Sequence, residues 1–109
     1  MSRLKIIEDT IQGWDKNMKI EFCEHLMHNL TVAIRSIWSD DSISDSEKVD
    51  RIKWINEFHH RIINFQRDLK HESKQDLNVY EIAKGYVNMN RNIGGELGLA
   101  IENSFDRTR

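Results

Sequence analysis

Not one proline occurs in 109 residues. Proline is the strongest helix breaker and a common turn former, so its absence leaves long helices free to run between a few glycine and serine–aspartate breaks. The apolar residues then decide the fold class, because they recur at steps of three and four, the spacing that places side chains on one face of a helix. The sequence predicts an all-α fold: a small antiparallel helical bundle of three long helices, at about 18–38, 44–70 and 78–104, behind a short N-terminal helix at about 3–12. Short connections favour up-down topology. A chain of this length buries roughly two-thirds of the surface exposed by its unfolded form, enough for one core in a single domain over 1–109.

The first apolar run is Leu4, Ile7, Ile11, Trp14 and Met18. Gly13 interrupts it at a cost of about 1 kcal/mol relative to alanine in a helix interior, and Asp15 is placed to cap a new start. Two helices are therefore expected across 3–38, with one continuous helix as the alternative. From Met18 onward, Phe22, Cys23, Leu26, Met27, Leu30, Ala33, Ile34, Ile37 and Trp38 share a broad face at about 100° per residue. Glu21, Glu24, His25, His28, Thr31 and Arg35 fall opposite.

Ser39 to Asp45 is the clearest break, because serine and aspartate hydrogen-bond nearby backbone and so favour turns and caps. Ser44 followed by Glu47 has capping-box spacing. Asp45 and Glu47 sit where the helix dipole favours carboxylates. Between Asp40 and Asp50 five acids face a single lysine. That run reads either as a solvated, well-capped helix start or as an acidic docking surface, with Asp40, Asp41, Asp45, Glu47 and Asp50 as the candidate partner-binding residues.

The helix from Ser44 to His71 is expected to organise the fold. Ile52, Ile55, Phe58, Ile62, Phe65 and Leu69 form its apolar face, with Trp54 and Ile63 at the edges. After a polar connection, Asn78 and Glu81 repeat the cap logic. Val79, Ile82, Ala83, Tyr86, Met89, Ile93, Leu97, Ala100 and Ile101 stay in phase across Gly94-Gly95. Two glycines cost about 2 kcal/mol in a helix interior, so a kink or break is expected there. Arg107-Thr108-Arg109 reads as a frayed tail.

Asn56-Glu57-Phe58-His59-His60-Arg61 concentrates ionisable and amide groups in under two turns. Helical projection divides it: His59 falls near the centre of the apolar stripe with Gln66, whereas His60, Glu57, Lys53 and Asn64 fall on the wet side. Asn90 lies on the apolar face of the last helix. Unpartnered buried polar groups cost about 1–3 kcal/mol, so His59, Gln66, Asn90 and Asn56 are expected to pair in a buried polar layer that fixes helix register. Glu57-x-x-His60 has the spacing of carboxylate di-iron bundles, but those need two such motifs and two more inward glutamates. Glu21, His25 and His28 are weak candidate metal ligands of the right chemical type.

Other chemistries find less support. Cys23 falls on an apolar face and reads as a core residue. Gly94-Gly95-x-x-Gly98 follows no predicted strand, which argues against a phosphate-cradling loop. The net charge of −2 and scattered basic residues argue against nucleic acid as a partner. A lone cysteine gives no intramolecular disulfide, no run approaches a membrane span, and Glu8 and Asp9 stand where a signal peptide needs apolar residues. A cytoplasmic protein without cofactor is expected. By elimination the sequence suggests a non-catalytic protein-binding domain, such as a bacterial immunity protein or antitoxin that neutralises a basic enzyme by occlusion. The alternative is a small metal-binding or enzymatic bundle using Asn56–Arg61.

Overall fold

The computed structural model describes residues 3–71, 79–89 and 94–109. All the helices expected from the periodicity are present, and the regular structure among the described residues is entirely α-helical. The order is α1 (Arg3–Gln12), α2 (Lys16–Trp38), α3 (Asp45–Lys70), α4 (Val79–Met89) and α5 (Gly94–Thr108). The third long stretch is described as α4 and α5, with residues 90–93 outside the described residues, and both glycines of the pair fall in the first turn of α5.

Local chemistry sets the boundaries. After α1 the chain turns at Gly13, whose N–H donates to the Thr10 carbonyl at 3.1 Å. The Asp15 carboxylate then accepts from the Met18 N–H at 2.9 Å and starts α2, which decides between one helix and two. Ser44 does the same for α3, its hydroxyl accepting from the Glu47 N–H at 3.2 Å. Each such side chain satisfies one of the donors that a helix start leaves unpaired.

The first turn of α4 donates a hydrogen bond to a side chain from elsewhere in the chain. Glu8 on α1 is only 4% exposed, and its carboxylate accepts from the Tyr80 N–H in the first turn of α4. Lys5 stands 3.7 Å from Glu8 and 5.8 Å from the centre of the Tyr80 ring. The expected capping residue, Asn78, lies outside the described residues. A hydrogen bond to a charged group contributes about 1.5–3 kcal/mol, so Glu8→Ala should lower unfolding free energy by about that amount in urea denaturation. Glu8→Gln, which keeps an acceptor, should lose less.

The core runs through all five helices. Ile7 and Ile11 of α1, Phe22, Leu26 and Leu30 of α2, Ile55, Phe58 and Ile62 of α3, Val79 and Ala83 of α4, and Leu97 and Ile101 of α5 are all buried. Two polar ties fix α2 against α3: Lys48 Nζ donates to the Trp38 carbonyl at 3.0 Å, and Gln66 Nε2 donates to the Ile20 carbonyl at 3.2 Å. The end of one helix meets the start of the other, so the pair is antiparallel. On its other side α2 meets α5. Asn29 Nδ2 donates to Ser104 Oγ at 2.9 Å, and Trp14, in the turn before α2, stacks on Phe105 with ring centres 5.3 Å apart.

Three expectations are corrected here. Among the described residues the helix with the most extensive packing is α2, which lies against both α3 and α5, whereas α3 was expected to organise the fold. Trp38, expected on the buried face, is 55% exposed. It is the last residue of α2, and Ile37 takes the inward position beside it. The tail expected to fray instead forms the last turn of α5: the Arg109 N–H donates to the Phe105 carbonyl at 3.1 Å, and its guanidinium lies 5.1 Å from the Phe105 ring centre. Cys23 is buried, as its place on the apolar face implies, and burial, with a lesser contribution from Glu24, pushes its thiol pKa up to about 12. Such a thiol stays protonated and is a poor nucleophile.

Candidate functional site at the acidic corner and the α2/α5 groove

The Asn56–Arg61 cluster does not converge. Phe58 is fully buried, His59 is half-buried, and Asn56, Glu57, His60 and Arg61 are exposed. Gln66 is buried, but its amide is tied to the α2 backbone. Asn56 therefore stands outside any buried layer, one residue beyond the inward Ile55 and so about 100° round the helix. Asn90 lies outside the described residues. The expected four-residue layer reduces, in the described part, to Gln66 with His59 at its margin.

Burial, then the nearby positive charge of His60, holds the His59 pKa below its ordinary value of 6.5. A depressed folded-state pKa means that the unfolded chain binds the proton more readily, so stability present above pH 6.5 is lost as pH falls through the folded-state pKa. Stability measured by urea denaturation should decline as pH drops below about 6.5, and His59→Gln should flatten that decline.

Glu57, placed by projection on the wet side, and Arg61 line a cleft of about 460 Å³ between α3 and α4 with Phe65, Glu81, Ile82, Gly85 and Tyr86. It offers mixed charge and aromatic surface. On α2, His25 Nε2 lies 3.4 Å from Glu21 Oε1, while His28 is exposed. Positions 21 and 28 are separated by about 10.5 Å along a helix axis, too far for one ion. Among the described residues no three His, Cys, Asp or Glu side chains are placed to hold a metal.

The acidic run is better organised. Asp40 Oδ1 accepts from the Ser42 N–H at 2.9 Å and from the Ser42 hydroxyl at 2.6 Å. These bonds hold its carboxyl below the usual pKa range and shape the corner between α2 and α3. Glu47 Oε1 receives Arg51 Nε at 2.9 Å, and the same guanidinium reaches Glu96 Oε1 on α5 at 3.3 Å. Arg51 thus ties the corner to α5. Of the five candidate partner-binding residues, Asp40 is engaged in the turn and Glu47 in the ion pair, while Asp41, Asp45 and Asp50 are exposed.

Beside this corner lies a groove of about 280 Å³ between α2 and α5. Val32, Ala33, Ile37, Ile43, Leu99 and Ala100 form its apolar surface, and Asn29, Ser36, Asp40, Glu96 and Asn103 its polar margin. Val32 and Leu99 are 43% and 61% exposed. Sequence reasoning missed this groove. Its one trace was an apolar side chain out of phase on each helix, Val32 beside the wet-face Thr31 and Leu99 between the inward Leu97 and Ala100. No protein-family model, curated protein or solved structure matches the chain. The geometry of the site itself therefore carries the functional reading.

Proposed function

We propose that the protein is a non-catalytic binding domain that occludes a basic partner protein, in the manner of an immunity protein or antitoxin. One observation carries this reading: the turn-forming Asp40, followed in the chain by exposed Asp41, lines an apolar groove on a corner braced by Arg51. An interface needs both features. Apolar surface provides affinity once desolvated, and a field of one sign steers a partner of the opposite sign and rejects others. No helix among the described residues is long and apolar enough to cross a membrane.

The untagged protein, purified from its own cells at low ionic strength, should bring down one basic protein in stoichiometric amount. Raising the salt should release that protein, because exposed charges are screened over about 8–10 Å at ordinary ionic strength. A complex indifferent to salt, or an acidic partner, would contradict the proposal.

A further inference from the structure

We propose that the α2/α5 groove is an anchor site for a basic amphipathic helix, taking one of its aliphatic side chains between Val32 and Leu99 and one of its lysine or arginine side chains at Glu96. This rests on the reading of the protein as a binding domain and adds the chemistry of what is bound.

Size is the first argument. At about 280 Å³ the groove lies at the lower limit of small-molecule pockets and suits an inserted side chain better than a cofactor. Its apolar surface is already uncovered, since Leu99 projects with 61% of its surface exposed. The walls are two antiparallel helices, the kind of groove into which an amphipathic helix lays its apolar stripe.

Charge is the second argument. Among the described residues the groove lining contains two carboxylates, Asp40 and Glu96, and no lysine, arginine or histidine. Glu96 Oε1 is held by Arg51. Its other oxygen, Oε2, is shielded from water and has no donor among the described residues. Buried acceptors without donors are uncommon in folded proteins. A turn of the Glu96 side chain, which is 26% exposed, would bring Oε2 to the groove, where an ammonium or guanidinium following the inserted aliphatic side chain would supply the missing donor in a charge-assisted bond. The α3/α4 cleft lacks this bias, because Arg61 stands there with Glu57 and Glu81.

The test uses the full chain, ¹⁵N-labelled, titrated with a synthetic amphipathic helical peptide of leucine and lysine. Matched peptides carry glutamate in place of lysine, or serine in place of leucine. The leucine–lysine peptide should shift the amides of Val32, Ile37, Leu99 and Asn103, and both matched peptides should bind at least about tenfold more weakly. Glu96→Gln should weaken binding about tenfold. Leu99→Lys, at a position too exposed to threaten folding, should abolish it. Shifts centred elsewhere, equal binding of the glutamate peptide, or full affinity in Leu99→Lys would overturn the assignment. So would a dimer in sedimentation that Leu99→Lys dissociates, because the occupant would then be a second copy of the chain. If the peptide fails but high salt still releases a basic co-purifying partner, the groove assignment falls and the binding reading stands. If the co-purifying partner is indifferent to salt, the acidic-corner reading falls whatever the peptide does.

Discussion

Replacing Phe58 by alanine is expected to lower the unfolding free energy by about 3–5 kcal/mol, the usual cost of emptying a buried aromatic site. Phe58 is fully buried and meets the Tyr86 ring edge-on with centres 5.9 Å apart, so its loss opens a cavity where α3 meets α4. Domains of this kind have total stabilities of about 5–15 kcal/mol, and the variant should show a clear fall in its urea midpoint. The adjoining exposed position gives the contrast. His60→Ala should stay within about 0.5 kcal/mol of the parent, as surface substitutions usually do. A cost for Phe58→Ala below about 1 kcal/mol, against the range just given, would mean that α3 is rotated from the orientation described.

Features governed by neighbours in the chain were legible from the sequence. Asp15 and Ser44 cap the helices they were expected to cap, because each bond closes within three residues. The periodicity placed Phe22, Leu26, Ile55, Phe58 and Ile62 in the core. What was not legible depends on distant contacts. Glu8 counted in the sequence only as an acid where a signal peptide needs apolar residues, yet it accepts from the backbone of Tyr80, 72 positions away. Trp38 fitted the apolar stripe, but periodicity does not show whether a neighbouring element covers the last turn of a helix. The dominance of α2 reflects α5 packing along its second side, which no single helical projection contains. The site divides the same way. The acidic run was visible in the sequence, while the groove beside it exists only once α2 and α5 lie antiparallel.

The largest functional effect is expected from reversing the charge of Asp41, Asp45 and Asp50 together. All three are exposed, so replacing them by lysine should leave the core intact. Asp45 carries a risk to stability, because a carboxylate in the first turn of a helix is favoured by about 0.3–1 kcal/mol. Asp40 and Glu47 are left in place, since Ser42 and Arg51 depend on them. Electrostatic steering changes association rates by about 10- to 1,000-fold, and the variant replaces attraction with repulsion across the whole corner. Dissociation should change less, because contacts on the apolar groove remain.

The most direct test of an acidic corner that recruits a basic partner is the association rate of the co-purified partner, measured by stopped flow over a salt series. The native protein should associate fast at low salt and slow steeply as salt rises. The Asp41→Lys, Asp45→Lys, Asp50→Lys variant should associate at least about tenfold more slowly at low salt, converging on the native rate at high salt. Equal rates for the two proteins across the series would contradict the account.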